Sequence, residues 1–257
     1  MAHKQSIALQ LYTIRNETAR DYAGALKKVA MMGYKGVEFF NYGEFSTKEL
    51  GAMLEGLGLE AVNTHVSLDN MEANPGKELE FALKLGLKDL TIPRLPPERR
   101  KGKDDYFRFA ETLGTIGELC HKEGIRLHYH NHYYEFNRFD DMSGMDIIIG
   151  NTSPQLVYIE LDTFWAAFSG VNPIDYLNKN STRIKMIHLK DMSRDENKDG
   201  KRYSVEVGEG IMDIQGILGA CDAAGMKWAV VEQDGGIRPQ LESVEISINY
   251  LKKTGRA

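Results

Sequence analysis

The stretch Leu119-Cys-His-Lys-Glu-Gly-Ile-Arg-Leu-His-Tyr-His-Asn-His132 contains the pattern that decides the fold of this chain. A helical segment ends just before Gly124, which stands where a helix C-cap would require it, and an apolar segment with polar residues at its end follows. The same order of helix, glycine and apolar segment recurs around Gly33, Gly58 and Gly225. Such repetition is typical of strand–helix units that build a parallel sheet.

Eight short apolar segments are predicted to be strands, and amphipathic segments such as Tyr22–Met32 and Lys103–Glu123 are predicted to be helices between them. We therefore predict an α/β fold in which residues 1–257 form a single domain, a closed (β/α)8 TIM barrel, which typically needs about 250 residues. An open doubly wound sheet is the alternative, but its glycine-rich phosphate turn is absent after the first strand. The predicted strands are Ile7–Leu11, Gly36–Phe40, Glu60–His65, Asp89–Pro93, Arg126–His132, Leu156–Asp162, Ile184–Leu189 and Trp228–Glu232.

The composition excludes several classes of function. The chain has 32 Lys and Arg against 37 Asp and Glu, which gives a net charge of −5. This argues against a general nucleic-acid or membrane-surface binder, because such proteins usually have an excess of basic residues. No apolar run is long enough to span a membrane, and the start, residues 1–5, lacks the apolar core of a secretion signal. We expect a cytoplasmic protein; a periplasmic one is left open, because a trimmed signal would leave no trace. Cys120 and Cys221 are expected to be buried, reduced thiols.

Polar residues stand at the ends of the predicted strands, where the active sites of TIM barrels lie. Residues two apart share one face of a strand. If the inward faces carry His130, Asp162, His188 and Glu232, these side chains converge at the barrel mouth. Each has a structural interpretation of its own, such as a helix cap at Asp162, but their joint placement favours one divalent metal ion. Mn or Zn is expected first, and Co, Ni and Fe also suit imidazole and carboxylate ligands.

Five strings of residues resemble the xylose-isomerase-like TIM-barrel superfamily, often called sugar phosphate isomerases/epimerases. They are His128-Tyr-His-Asn-His-Tyr-Tyr-Glu-Phe136, Leu161-Asp-Thr-Phe-Trp165, Ile187-His-Leu-Lys-Asp191, Gly208-Glu-Gly-Ile-Met-Asp213 and Val231-Glu-Gln-Asp234. The resemblance implies a single metal held by residues of strands five to eight. Asp162, His188 and Glu232 match the last three ligands of the family. The first ligand is usually a glutamate, and His130 stands at that position here.

The resemblance also implies chemistry in which a proton leaves a carbon next to a carbonyl that the metal polarises. Glu232 is the expected base, and His132 is expected to act as a general acid/base near neutral pH. Glu135 is a candidate substitute ligand or acid/base. The substrate is expected to be a small carbohydrate. The expected substrate-binding residues are Glu38, His65, Lys190, Trp165 and Tyr12.

The leading hypothesis is a metal-dependent isomerase or epimerase of a small sugar or sugar derivative. With His130 in place of a carboxylate, the two-base scheme of ketose epimerases loses a member. The alternative is therefore a lyase, hydratase or hydrolase acting on 3-keto-sugars or 3-keto-glycosides. A non-catalytic sugar-binding barrel is a more remote alternative, and cleavage of damaged DNA, known for a related barrel family, disagrees with the net charge. We expect no nucleic-acid or membrane partner, and a homo-oligomer is left open.

Overall fold

The computed structural model describes residues 4–257 and contains the eight predicted strands. Each observed strand agrees with its predicted segment to within two residues at either end. Only the end of the fifth strand differs by two, because the backbone N–H of His132 donates to Glu135 Oε2 instead of continuing the strand. In chain order, strands β1 to β8 are Ser6–Gln10, Gly36–Phe39, Glu60–Thr64, Asp89–Ile92, Arg126–His130, Val157–Asp162, Ile184–Leu189 and Trp228–Val231.

The eight strands form one parallel sheet in the order β3-β2-β1-β8-β7-β6-β5-β4. In the register, Leu9 pairs with Val37 on one side and Val231 on the other. At the far end of the order, a parallel bridge joins His65, just after β3, to Thr91 in β4. The strands therefore run around a nearly closed barrel, and the predicted TIM-barrel fold is confirmed.

Helices lie between the strands, and their ends follow the local sequence. Ser46 and Glu49 form a reciprocal capping box at one start, and Gly33, with a φ of 99°, ends the helix before it, a conformation that favours glycine. The α-helices in the described part of the chain, α1 to α11, are Arg15–Arg20, Tyr22–Met32, Thr47–Leu57, Leu68–Ala73, Pro75–Lys84, Lys103–Lys122, Gly144–Gly150, Thr163–Phe168, Pro173–Lys179, Ile214–Ala223 and Gln240–Lys253.

The contacts within the chain define two compact units, one that runs to Val62 and resumes at Met186, and one over Asn63–Lys185. A single domain over residues 1–257 stays a prediction. In the first unit, small and large apolar side chains of the strands pack into a buried cluster, made of Ala8, Val62, Met186, Trp228 and Val230. In the second unit, Phe109 of α6 packs edge-on against Tyr129 of β5, with ring centroids 4.9 Å apart. In each unit the strands thus bury apolar side chains, as parallel sheets require.

Two further expectations concern the whole chain. Cys120 and Cys221 are both buried and unbridged, as predicted. Over residues 4–257, no helix combines the length and the apolar character that crossing a bilayer demands. Residues 1–3, part of the segment in which no secretion signal is predicted, lie outside the described residues.

Candidate active site

The ring of His188, in β7, lies between two carboxylates. Its Nε2 is 2.7 Å from Oε1 of Glu38 in β2, and its Nδ1 is 2.7 Å from Oε2 of Glu232, directly after β8. His188 and Glu38 have no exposed surface, and Glu232 is also buried. Burying carboxylates is costly unless a positive charge compensates them. The two buried carboxylates beside His188 therefore favour a positive charge at this place.

Lys190 supplies one such positive charge. Its Nζ lies 2.7 Å from Oε2 of Glu232 and 2.8 Å from Oδ2 of Asp234. The Lys190 side chain has no exposed surface, whereas that of Asp234 is 40% exposed. Arg15 donates to the main-chain oxygen of Asp234 and so holds the same segment. The ammonium group of Lys190 thus fixes Glu232, the expected base, in one orientation.

His130 and Asp162 are the last residues of β5 and β6 and face each other. His130 Nε2 lies 3.3 Å from Asp162 Oδ2, and His130 Nδ1 lies 3.2 Å from the main-chain oxygen of Pro93. A carbonyl oxygen only accepts hydrogen bonds, so Nδ1 carries a hydrogen, and Nε2 of the neutral ring presents its lone pair to the carboxylate. Because His130 Nε2 and Asp162 Oδ2 then face each other with their lone pairs, a cation bound by both atoms would stabilise the arrangement. The two side chains therefore fit as ligands of a metal ion.

Asp162 also has the structural role considered for it from the sequence. Its Oδ1 accepts the backbone N–H of Trp165 at 2.9 Å and so caps α8, while Oδ2 is the oxygen that faces His130. Asn131 holds the backbone of Asp162, because its Oδ1 accepts the Asp162 N–H at 2.9 Å. The cap and the neighbouring amide fix the carboxylate, so the two interpretations of Asp162 are compatible.

His132 lies just beyond the end of β5 and is partly exposed. Its ring stacks on the ring of Tyr134 with an interplanar angle of 7°, and its Nδ1 lies 3.2 Å from the Tyr134 hydroxyl. The centroids of the His132 and His130 rings are 5.1 Å apart. The Trp165 ring is another aromatic neighbour, and its centroid lies 5.9 Å from that of His132. A partly exposed imidazole next to a candidate metal ligand is a candidate proton donor or acceptor.

Glu135 lies behind His132 and is fully buried. Its Oε2 accepts the backbone N–H of His132 at 2.8 Å, and the Tyr129 hydroxyl donates to its Oε1. Burial raises the pKa of Glu135 to about 7. Through these contacts, Glu135 holds the segment that carries His132.

The expected substrate-binding residues have different degrees of access. Tyr12 is 39% exposed, and Trp165 and His65 are partly exposed. His65 Nε2 lies 2.8 Å from Glu160 Oε2, so a buried carboxylate of β6 orients its ring. In contrast, Glu38 and Lys190 are fully buried and engaged with the groups described above.

Sequence reasoning assigned no role to three residues that support this region. Gln10 donates to Glu38, Asn131 clamps the backbone of Asp162, and Asp234 pairs with Lys190. Asn131 and Asp234 belong to the strings that resemble the family, and Gln10 is the last residue of β1. Their positions at or just after strand ends could have identified them as candidates.

The Gly208-Glu-Gly210 string, although glycine-rich, surrounds a side chain of the protein itself. Oδ2 of Asp191 accepts the backbone N–H groups of Gly208 at 2.9 Å and Gly210 at 3.0 Å, and its Oδ1 accepts that of Met212 at 3.0 Å. The turn is thus filled by the Asp191 carboxylate, which anchors the segment that follows β7.

Each compact unit holds one pair of the predicted ligands, His188 with Glu232 in the first unit and His130 with Asp162 in the second. Imidazole nitrogens combined with carboxylate oxygens suit zinc and the neighbouring transition metals. A metal site that joins these two pairs stays a prediction.

Comparisons with known proteins agree with this architecture. The family model described as xylose isomerase-like TIM barrel matches residues 26–254. An inosose dehydratase from Clostridium beijerinckii is 30% identical over 169 residues, which are 60% of this chain and 56% of the relative. The chain thus spans little more than half the length of that relative.

Two solved structures are similar over nearly the whole chain. A sugar phosphate isomerase/epimerase from Parabacteroides distasonis has a TM-score of 0.84 at 25% identity, covering 97% of this chain and 98% of that one. A protein called IOLI, with a bound zinc atom, has a TM-score of 0.74 at 16% identity, covering 98% and 96%. The second likeness shows the fold alone.

Proposed function

Because the chain belongs to the xylose isomerase-like TIM barrel family, we propose that it is a divalent-metal-dependent lyase that removes water from a small keto-polyol. Relatives named inosose dehydratase support this choice. The observation that carries it is the pairing of His130 with His132 at the end of β5. An elimination needs one base and one acid, whereas the two-base epimerase scheme needs a carboxylate at the position of His130.

The proposed metal ligands are His130, Asp162, His188 and Glu232, with Mn or Zn as the first choice and Co, Ni and Fe as others. When bound, the ion polarises the substrate carbonyl and makes the adjacent C–H bond more acidic. The donor pair of His130 and Asp162 and the flanked ring of His188 support this assignment.

Glu232 is the proposed base, and His132 is the proposed acid. Glu232 takes the proton from the carbon next to the carbonyl, and the electron pair of that C–H bond forms the new C=C bond. The C–O bond to the neighbouring hydroxyl breaks, and His132 gives that oxygen a proton so that it leaves as water. Lys190 orients Glu232, and Tyr134 orients His132.

The proposed substrate contacts are those of the partly exposed side chains Tyr12, His65 and Trp165. Polar tips of Tyr12 and His65 suit hydroxyl groups, and the indole of Trp165 suits the apolar face of a sugar ring. Glu38 and Lys190 are buried, so we propose that they act on the substrate through His188 and Glu232. Glu135 acts through the backbone of His132.

An isomerase or epimerase acting on the same class of substrate is the second candidate. The 25% identity to a solved sugar phosphate isomerase/epimerase, over 97% of this chain, favours it. It shares the proton abstraction by Glu232 and differs in the next step, in which the carbanion would be reprotonated instead of losing the neighbouring hydroxyl group as water.

Product analysis separates these functions. Purified protein loaded with Mn²⁺ or Zn²⁺ is incubated in D₂O with a keto-inositol, a simple ketose and a 3-keto-glycoside. A product lighter by one water supports the lyase. Unchanged composition with deuterium on carbon would support the isomerase, and a released aglycone would support a hydrolase or lyase on 3-keto-glycosides. No product from any substrate, with sugar binding intact, would favour a non-catalytic barrel. The cytoplasmic location and the oligomeric state stay predictions.

A further inference from the structure

A hydrogen-bond relay runs from the backbone of Tyr12 through Gln10 and Glu38 to His188. We propose that Gln10 and Glu38 are positioning residues that keep the hydrogen of His188 on Nε2 and so present Nδ1 to the metal. The part that concerns the metal rests on the proposed function. All donors and acceptors of the relay lie within one compact unit of the chain.

The orientation of the Gln10 amide is fixed by a backbone group. The N–H of Tyr12 can only donate, so the Gln10 atom 3.0 Å away from it is the oxygen Oε1. The other atom of the amide, Nε2, is then a donor, and it lies 2.5 Å from Oε1 of Glu38. Gln10 has no exposed surface, so water does not compete for either contact.

The second step concerns the Glu38 carboxylate. Its Oε1 already accepts from Gln10 and also lies 2.7 Å from Nε2 of His188. An ionised carboxylate has only acceptors, so this contact and the equally short one from Nδ1 to Glu232 Oε2 each need a hydrogen or a metal ion on the ring nitrogen. Because the Tyr12 N–H orients Gln10, and Gln10 in turn holds Glu38, the proposed arrangement keeps the hydrogen on Nε2 and leaves Nδ1 for the metal.

The third step follows at the other side of the ring. With its hydrogen on Nε2, a neutral His188 presents the Nδ1 lone pair to Glu232 Oε2, 2.7 Å away. The Lys190 ammonium lies 2.7 Å from the same Oε2, but two lone pairs that face each other still need a proton or a metal ion between them. A carboxylate on the far nitrogen of a metal-bound imidazole fixes the ring and raises its basicity. Nδ1 is thus the nitrogen at which a metal replaces a proton.

Two variants of Glu38 separate this role from simple packing. Glu38→Gln keeps an acceptor oxygen of the same reach, whereas Glu38→Leu keeps the bulk and removes the acceptor. We expect the zinc dissociation constant of Glu38→Leu to rise about 10- to 100-fold and that of Glu38→Gln to change much less. Competition with a chromophoric chelator measures it, and Glu55→Leu, at an exposed position of α3, is the control. Equal affinities of Glu38→Leu and wild type would overturn the proposal.

The tautomer itself is read by long-range ¹H–¹⁵N correlation spectra of the zinc-loaded wild type labelled at histidine nitrogens. The signal of His188 is identified by its loss in His188→Gln. Hydrogen on Nε2 with zinc on Nδ1 is expected, and hydrogen on Nδ1 would overturn the inference even if Glu38→Leu fails to fold. Neither measurement uses a substrate, so an inactive protein with the expected tautomer would contradict only the proposed lyase activity.

Discussion

Single residues in this protein combine a structural bond on one atom with a chemical task on another. Asp162 caps α8 with Oδ1 and faces His130 with Oδ2. His188 uses Nε2 toward Glu38 and Nδ1 toward Glu232. Because each group is held by one atom, the other is fixed in direction, and this preorganisation lowers the cost of binding an ion or a transition state.

Replacing His132 by glutamine tests its role as the acid. The variant keeps a side chain that can form hydrogen bonds but cannot transfer a proton, so we expect kcat to fall about 100- to 10,000-fold, with unchanged metal content. The matched control is His121→Gln, at an exposed position of α6. If His132→Gln turns over substrate at the wild-type rate, His132 is not the acid.

Glu135 predicts a pH dependence of stability. Burial raises its pKa from an ordinary value of 4.5 to about 7, so between these values the folded chain binds more protons than the unfolded chain. The free energy of unfolding therefore falls as the pH rises through this window, by about 3 kcal/mol at most. In Glu135→Gln, whose amide can satisfy both Tyr129 and the His132 N–H, we expect this component to vanish.

Urea unfolding of the metal-free protein at about pH 5 and about pH 8 measures how the free energy of unfolding changes with pH. The effect of Glu135 is this change in the wild type minus the change in Glu135→Gln. Glu111→Gln, at an exposed position of α6, controls for the loss of one charge. The same pH dependence in Glu135→Gln and wild type would mean that other groups cause it.

At the scale of elements, close backbone contacts position the helices against the strands. Gly117 in α6 lies against the main chain before β6, and a Cβ at this position would be 2.7 Å from the carbonyl oxygen of Leu156. A Cβ at Gly114, one turn earlier on the same helix, would have no neighbour within 4 Å. The two glycines lie in the same helix, and only Gly117 packs closely against a neighbouring backbone.

This pair gives a matched test of the packing of α6. We expect Gly117→Ala to lower the free energy of unfolding by about 1–3 kcal/mol, because a backbone oxygen cannot move aside easily. We expect Gly114→Ala to raise it by about 0.5–1 kcal/mol, because alanine has the higher helix propensity. Denaturant unfolding of both variants measures the effects, and equal signs would contradict the packing described for α6.

At the scale of the whole molecule, four strand ends contribute the proposed ligands, so metal binding and folding are coupled. An ion that binds only the folded chain stabilises it by about 2.7 kcal/mol at 100 times its dissociation constant. For a chain of this length we expect Tm to rise by about 5–10 °C on adding Zn²⁺ or Mn²⁺ to chelator-treated protein. His188→Gln should show a much smaller rise. An unchanged Tm of the wild type, by scanning calorimetry, would contradict the proposed metal site.

The periodic part of the fold was predictable because it is encoded locally. Apolar segments with a polar end, followed by helices that stop at glycine, identify strand–helix units without any tertiary information. The polar residues at the strand ends were visible for the same reason, because they interrupt the apolar pattern where TIM barrels carry their active sites. That four of them bind one metal stays a prediction. The resemblance to the family added the order of the ligands along the chain.

The sequence by itself determined the strand–helix repeat, the barrel class and the residues that stand at strand ends, because those depend on the spacing of residues along the chain. Only the tertiary structure decided which atoms of these residues meet. The relay from Gln10 to His188 joins residues 10, 38 and 188, and the bonds of Lys190 and Glu135 depend on burial that no local pattern reports. The direction of these hydrogen bonds and the loss of water around them depend on contacts between residues far apart in the sequence. Such contacts exist only once the chain is folded.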